Sequence, residues 1–85
     1  MTIKEFEIQL ALGTLSEDDK YRMARSIKTS KKILAILATD ERWWVRCWIA
    51  GNPDTPVNVL KILATDEDNS SVIYWAKKTL EGKKM

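Results

Sequence analysis

The residue types that usually carry catalysis are scarce in this sequence. Its 85 residues include no histidine and a single cysteine, Cys47. Without histidine the chain has neither the Ser–His and Cys–His pairs of nucleophilic catalysis nor an imidazole ligand for a metal. Acidic residues fall at two predicted turns, 40–41 and 66–68, where we expect solvated loop carboxylates, with an acidic rim for a cation or a basic partner as the alternative. The sequence therefore predicts a protein that is not an enzyme and holds no metal or cofactor.

Cys47 itself lies between Arg46 and Trp48 in a predicted core helix. Free cysteine is among the most buried residue types and behaves as a small apolar side chain. As the only cysteine it forms no intramolecular disulfide, which suits a reducing compartment. The sequence also lacks an apolar run of signal-peptide or membrane-span length. We therefore expect a cytoplasmic protein that does not enter a membrane.

Two adjacent tryptophans, Trp43 and Trp44, are the clearest candidates for a protein contact. Neighbouring residues of a helix point about 100° apart, so the two rings face different directions and one of them is expected to be exposed. Trp44 is flanked by Arg42 and Arg46, and Trp and Arg dominate the energetics of protein interfaces. We predict a protein-binding surface centred on Trp44 with Arg42, Arg46 and Trp43. Partial burial of Trp44 under a neighbouring loop is the alternative.

A run of cations is the second candidate site. Residues 20–32 contain no acid, although the acids at 17–19 lie directly upstream and oppose their field. A basic face of this kind can bind the phosphate backbone of a nucleic acid, dock an acidic protein, or remain solvated. The nucleic-acid alternative would use six side chains: Lys20, Arg22, Arg25, Lys28, Lys31 and Lys32.

An internal repeat predicts the elements that position these residues. Residues 33–41 recur as residues 59–67, and we call the distance in sequence from residue 33 to residue 59 the repeat length. Residues 45–48 match residues 72–75 when one extra residue is allowed for. Each unit carries two short helices with apolar stripes at helical spacing, and the equivalent positions of Trp48 and Trp75 predict that both are core. We predict one all-α domain over residues 1–85, frayed in its last few residues. It is a short α-solenoid of about three two-helix repeats, at about 3–26, 29–51 and 55–81.

Capping residues predict the helix boundaries of the middle and last units. We expect Thr29 and Thr55 to be N-caps whose hydroxyls accept from first-turn amides, with Pro56 at the first helical position. Gly51 is expected to end the second helix of the middle unit in a left-handed conformation.

The first unit departs most from the repeat. Thr2 with Glu5 and Ser16 with Asp19 are predicted capping boxes, and Gly13 is the predicted end of the first helix. The apolar residues at 6, 8, 10 and 12 alternate with the period of a strand. A lone strand would have no partner here, so we expect a helix.

The segment Asn52-Pro53-Asp54-Thr55-Pro56, followed by the apolar segment 59–66, resembles the variant leucine-rich repeat. Residues 40–46 are similar to that family's turn into its second helix. The resemblance spans about residues 20–80, and it departs from the family pattern at residues 26–28, which replace Asn-Pro-Asn, and at Ile73, which replaces Arg. It implies a right-handed, HEAT-like superhelix of two helical layers, some of them 3₁₀, and a binding scaffold. Some members carry a cysteine cluster for an iron–sulfur centre, which Cys47 alone does not supply.

These features predict a non-enzymatic binding scaffold. An unidentified protein is the expected partner, and a nucleic acid is the alternative. The end faces of so short an array are a further candidate surface, through which two copies of the chain would form a homodimer.

Overall fold

A computed structural model describes residues 2–26, 28–66 and 69–83. These residues form six helices and no strand, which confirms the predicted all-α class. Glu67 and Asp68 of the second acidic turn lie outside the described residues, as do the last two residues of the predicted frayed end. In chain order the helices are α1 (Ile3–Leu12), α2 (Glu17–Arg25), α3 (Lys31–Leu37), α4 (Trp43–Ala50), α5 (Val57–Leu63) and α6 (Ser70–Gly82).

The segment with strand-like alternation is helix α1. The Thr2 hydroxyl accepts from the Glu5 amide at 3.1 Å, and Gly13 ends the helix in the left-handed conformation, at φ 71. Phe6 is fully buried while Ile8 and Leu12 are exposed, so the alternating apolar residues do not share one buried face. Helix α2 begins with the predicted capping box, in which Ser16 Oγ accepts from the Asp19 amide and Asp19 Oδ2 accepts from the Ser16 amide.

The predicted N-caps of α3 and α5 are wrong by one residue. Ser30, not Thr29, caps α3, and its Oγ accepts from the Ile33 amide at 3.2 Å. Pro56, not Thr55, holds the N-cap position of α5, which begins at Val57 without a side-chain cap. The two threonines instead donate backwards, Thr29 Oγ1 to the Met23 carbonyl at 2.6 Å and Thr55 Oγ1 to the Ile49 carbonyl at 2.8 Å. Each hydroxyl adds a second hydrogen bond to a carbonyl at the end of the preceding helix, which also accepts from a backbone amide.

The predicted left-handed cap at Gly51 is also wrong. Gly51 has φ −86 and ψ −6, an ordinary right-handed conformation, and its amide donates to the Cys47 carbonyl at 3.0 Å. The amide of Asn52 donates to the Ile49 carbonyl at 3.1 Å, so the helix ends in a tightened turn. The backbone conformation at this position therefore does not require a glycine.

One hydrophobic core joins the helices. Helix α4 packs between α2 and α6, α5 packs against α6, and α3 contacts α1, α2 and α4. The side chains that are almost completely buried come from all six helices: Phe6, Ala24, Ile33, Leu34, Leu37, Val45, Ile49, Ala50, Leu60, Leu63, Val72 and Ala76. The layer of α2, α4 and α6 positions the groove described below.

Polar bonds that link these helices recur along the chain. Lys20 Nζ binds Asp40 Oδ2 at 2.7 Å, and one repeat length later Arg46 Nε binds Asp66 Oδ2 at 2.7 Å. All four side chains are between 10% and 12% exposed. Asp40 lies in the turn after α3, and Asp66 lies in the turn after α5. The ion pairs therefore tie α2 to the first of these turns and α4 to the second.

Two further hydrogen bonds tie α2 to the segment after α4, and α4 to α6. Asn52 Nδ2 donates to the Ala24 carbonyl at 2.7 Å, and Thr79 Oγ1 donates to the Ala50 carbonyl at 2.7 Å. The two acceptors are one repeat length apart. The two donors are one repeat length plus one residue apart. This matches the one extra residue between segments 45–48 and 72–75.

Candidate functional site

The residues of the predicted protein-binding surface do not share one exposed face. Trp44 is half-buried and packs against the core, whereas Trp43 is 44% exposed, with the two ring centroids 5.9 Å apart. Arg46 is nearly buried. Its Nη1 donates to the carbonyls of Asp40 and Glu41, and its Nε forms the ion pair with Asp66. Arg42 is exposed, and its guanidinium lies 3.2 Å from a carboxylate oxygen of Glu17.

The six cations of residues 20–32 are distributed over the surface. Lys20 is almost buried in its ion pair with Asp40, Arg22 pairs with Asp18 one turn away, and Lys32 lies 3.9 Å from Glu7. Lys28 and Lys31 are exposed and have no carboxylate partner among the described residues. Three different surface depressions are lined by these cations. Lys20 lines one, Arg25 lines a second, and Arg22 and Lys28 line the third. The run that is continuous in sequence therefore contains three cations near carboxylates, and its members line more than one surface depression.

A groove with a different composition crosses the layer of α2, α4 and α6. It has a cavity volume of about 430 Å³. Its lining joins one cation, two large aromatic rings and a floor of small residues: Arg25, Cys47, Trp48, Gly51, Asn52, Pro53 and Trp75. We call this feature the aromatic groove.

Helical spacing positions the walls of the aromatic groove. Tyr21 and Arg25 lie one turn apart on α2, and Cys47 and Gly51 lie at the corresponding positions one repeat length later, on α4 and at its C-cap. Gly51 is thus equivalent to Arg25 but has no side chain. A Cβ at Gly51 would meet only carbonyl oxygens of its own helix, at 3.6 and 3.8 Å, and no side chain from a neighbouring element. The missing side chain leaves the floor of the groove open.

Aromatic contacts order one wall of the groove. The rings of Tyr21 and Trp48 meet edge to face, with centroids 4.8 Å apart and planes at 81°. The Arg25 guanidinium lies 5.2 Å from the centre of the Tyr21 ring, and Nη1 donates to the tyrosine oxygen. Trp75 forms the opposite wall from α6 and is 45% exposed. Large rings that are half in solvent and held by neighbours are typical of binding surfaces.

The side chain of Asn52 in the floor of the groove is held by hydrogen bonds. Asn52 is 4% exposed, its amide nitrogen donates to the Ala24 carbonyl, and its Oδ1 accepts from the Asp54 amide at 2.8 Å. Cys47 is half-buried, and burial raises the pKa of its thiol. A protonated thiol without a neighbouring base is a poor nucleophile. The arrangement supports recognition by shape and charge.

The prediction that Trp75 is core, by equivalence with Trp48, is wrong. Trp48 is half-buried against Tyr21 of α2, whereas no described element covers α6 on its far side. The sequence contains a signal for this difference. The positions of the buried Ala50 and of Gly51 are taken in α6 by Lys77 and Lys78, both exposed. The sequence does not predict the aromatic groove, because its residues come from α2, α4, α6 and the segment after α4, which are far apart in the chain.

No protein-family model, curated protein or solved structure matches this chain. The resemblance to the variant leucine-rich repeat thus rests on the residues quoted for it. Among the described residues, no helix is both long and apolar enough to cross a membrane. No three His, Cys, Asp or Glu side chains within residues 2–26, 28–66 and 69–83 come close enough together to hold a metal ion.

Proposed function

We propose that this chain is a non-enzymatic protein-binding scaffold whose contact surface is the aromatic groove. The observation that carries the proposal is the pairing of Trp48 and Trp75 across a cavity of about 430 Å³ with Arg25 at its edge. Trp and Arg are enriched among the residues that contribute most to protein interfaces. The Asn52 side chain, already held by hydrogen bonds, favours affinity because it loses little conformational freedom on binding.

The scaffold itself is proposed to be a short right-handed α-solenoid of the variant leucine-rich repeat type. Support comes from the helices α3 and α5, which have equal lengths and begin one repeat length apart. The ion pairs Lys20–Asp40 and Arg46–Asp66 have the same spacing and the same length. In a solenoid, equivalent residues make equivalent contacts with the next unit. A single cysteine is compatible with the proposed cytoplasmic location.

Two tryptophans provide a matched test of the contact surface. Trp75 lines the aromatic groove and Trp43 does not, yet their exposed fractions are 45% and 44%. We expect Trp75→Ala to lose the proteins that the wild-type chain captures from its native cell, while Trp43→Ala keeps them. Both variants should retain the helical circular dichroism spectrum, because neither ring belongs to the buried core.

The reverse result would move the contact surface. If Trp43→Ala loses the captured proteins and Trp75→Ala keeps them, the surface predicted around Trp44, with Arg42 and Trp43 as its exposed members, is the interface. If both variants bind as the wild type does, the aromatic groove is not a protein-binding site.

Nucleic-acid binding is the second candidate function. The observation that favours it is that Lys28 and Lys31 have no carboxylate partner among the described residues. Binding through the phosphate backbone weakens steeply as salt rises. Retention on heparin and on duplex DNA at low salt, lost in a Lys28→Gln/Lys31→Gln variant, would support it. Absence of retention at low salt would exclude it.

A homodimer is the remaining proposal for a partner. Ile8 and Leu12 are 50% and 70% exposed and lie one turn apart on α1, so they form a small apolar patch at that end of the molecule. Light scattering of the purified chain over a range of concentrations measures whether two copies associate.

A further inference from the structure

Arg25 differs from the other arginines in what it contacts. Arg22, Arg42 and Arg46 each form an ion pair with a carboxylate, from Asp18, Glu17 and Asp66. Arg25 forms none with the described residues, and its bonds are the stacking contact and the hydrogen bond to Tyr21.

Tyr21 contacts the Arg25 guanidinium at the edge of the groove in two ways. One N–H group of Arg25 is used on the tyrosine oxygen, and an arginine side chain carries five N–H donors in all. The guanidinium also lies over the Tyr21 ring, and that ring packs edge to face against Trp48. A planar cation of this kind matches a carboxylate, which accepts two parallel hydrogen bonds from it.

The rest of the groove selects an apolar group. Cys47, Trp48, Gly51 and Trp75 present apolar or small surfaces, and no lining residue within the described part of the chain is acidic. A side chain the size of Leu or Phe fits within such a space, and contact with the tryptophans would remove part of their exposed surface from water. The groove therefore places two tryptophan rings beside a cation that has no carboxylate partner among the described residues.

We infer that the aromatic groove binds a protein segment that presents an Asp or Glu side chain next to a bulky apolar one. Arg25 is the specificity-determining residue, and it binds the carboxylate. Trp48 and Trp75 enclose the apolar side chain. This inference rests on the proposed protein-binding function, and charge complementarity selects the occupant. A phosphorylated segment would demand more than one cation for its doubly charged group, and Arg25 is the only cation among the described lining residues.

Selection from a displayed library of random dodecapeptides tests the inference on the full chain. The wild type should enrich peptides in which Asp or Glu is close in sequence to Leu, Ile, Phe or Trp. The same selection with Arg25→Gln should keep the apolar residue and lose the acid. Arg22→Gln is the matched control, because Arg22 is an exposed arginine on the same helix, outside the aromatic groove.

A synthetic version of the best peptide gives the quantitative test by fluorescence anisotropy. Changing its acid to the amide should weaken binding to the wild type at least about tenfold, since charge-assisted hydrogen bonds are the stronger ones. The same change should make little difference to Arg25→Gln. The comparison of the two peptides on the wild type alone is informative even if the variant folds poorly.

The outcomes separate the inference from the function on which it rests. Enriched peptides without an acid, or an unchanged acid preference in Arg25→Gln, would overturn the role of Arg25 while the groove remains a peptide site. Enrichment of phosphorylated or basic peptides in a follow-up array would overturn it as well. Failure of the wild type to enrich any peptide would contradict both the inference and the groove as a site for protein segments.

Discussion

Two kinds of cation lie on the same layer of helices, and their surroundings differ. Arg46 on α4 and Lys20 on α2 are nearly buried and bind Asp66 and Asp40 from neighbouring turns. Arg25, one helical turn beyond Tyr21 on α2, is exposed and stacks on an aromatic ring. A nearly buried cation that binds a carboxylate of its own chain stabilises the fold. Arg25, at the edge of a cavity, has no carboxylate partner among the described residues, and its role in binding is our proposal.

This comparison shows that the cations of residues 20–32 do not share one environment. Lys20 and Arg25 are both members of that run, yet one belongs to the structural ion pairs and the other to the aromatic groove. Arg46 lies outside the run, although it is the equivalent of Lys20. Replacing each of the three cations by Met therefore tests the comparison, since the side chain stays long and loses its charge.

The largest loss of stability is expected for Arg46→Met. The change leaves the nearly buried carboxylate of Asp66 and the carbonyls of Asp40 and Glu41 without this donor. Removing one member of a buried ion pair costs about 3 kcal/mol. Urea unfolding at neutral pH measures the free energy. The exposed pair of Arg22 with Asp18 is the control, and we expect Arg22→Met to have no measurable effect. Equal losses in the two variants would refute the structural role of Arg46.

A loss of about 2 kcal/mol is expected for Lys20→Met, because one charge-assisted hydrogen bond to Asp40 is removed. Burial alone would raise the pKa of the Asp40 carboxyl, but hydrogen bonds from Lys20 and from the Arg42 amide, with both charges, outweigh it and lower the pKa.

The lowered pKa of Asp40 also predicts how stability depends on pH. Because the carboxyl has a lower pKa in the folded chain than in the unfolded one, its contribution is complete above the unfolded value of about 3.9 and is lost as the pH falls through the folded value. Unfolding free energies of the wild type, measured from neutral to strongly acidic pH, should fall along this limb, and Lys20→Met should flatten it. Parallel curves would show that Lys20 does not set the pKa of Asp40.

The smallest effect is expected for Arg25→Met, at about 0.5 kcal/mol, since an exposed cation over an aromatic ring contributes little to stability. Urea unfolding again provides the measurement. A loss as large as that of Arg46→Met would place Arg25 among the structural cations and would remove the basis for its role in binding.

Local signals in the sequence are sufficient for much of the fold. The recurrence of residues 33–41 as 59–67 predicts α3 and α5 at equal lengths, and the capping box at Ser16 predicts the start of α2. The N-caps at Thr29 and Thr55 could not be predicted correctly, because a threonine hydroxyl can accept from the next helix or donate to the previous one. Only the path of the chain decides between the two bonds.

The aromatic groove depends on longer-range information. Adjacent rings point in different directions along a helix, but the sequence does not state whether Trp43 or Trp44 meets the core; in the structure Trp44 does. Trp48 and Trp75 occupy equivalent positions in the repeat, but this equivalence does not predict how deeply each ring is buried. Burial depends on the helices that flank each ring. Arg25 joins the site only because α2 lies beside α4.

Cys47 gives the aromatic groove a chemical reporter of its own occupancy. It is the only thiol in the chain, and it lines the groove. Because burial raises the pKa of the thiol, its alkylation is slow at neutral pH and accelerates as the solution becomes more alkaline. An alkylating reagent reaches the sulfur through the same space that a ligand fills. If the groove binds a protein segment as proposed, the segment would slow this labelling, and the rate would measure, without a tag or a substitution, the fraction of molecules whose groove is empty.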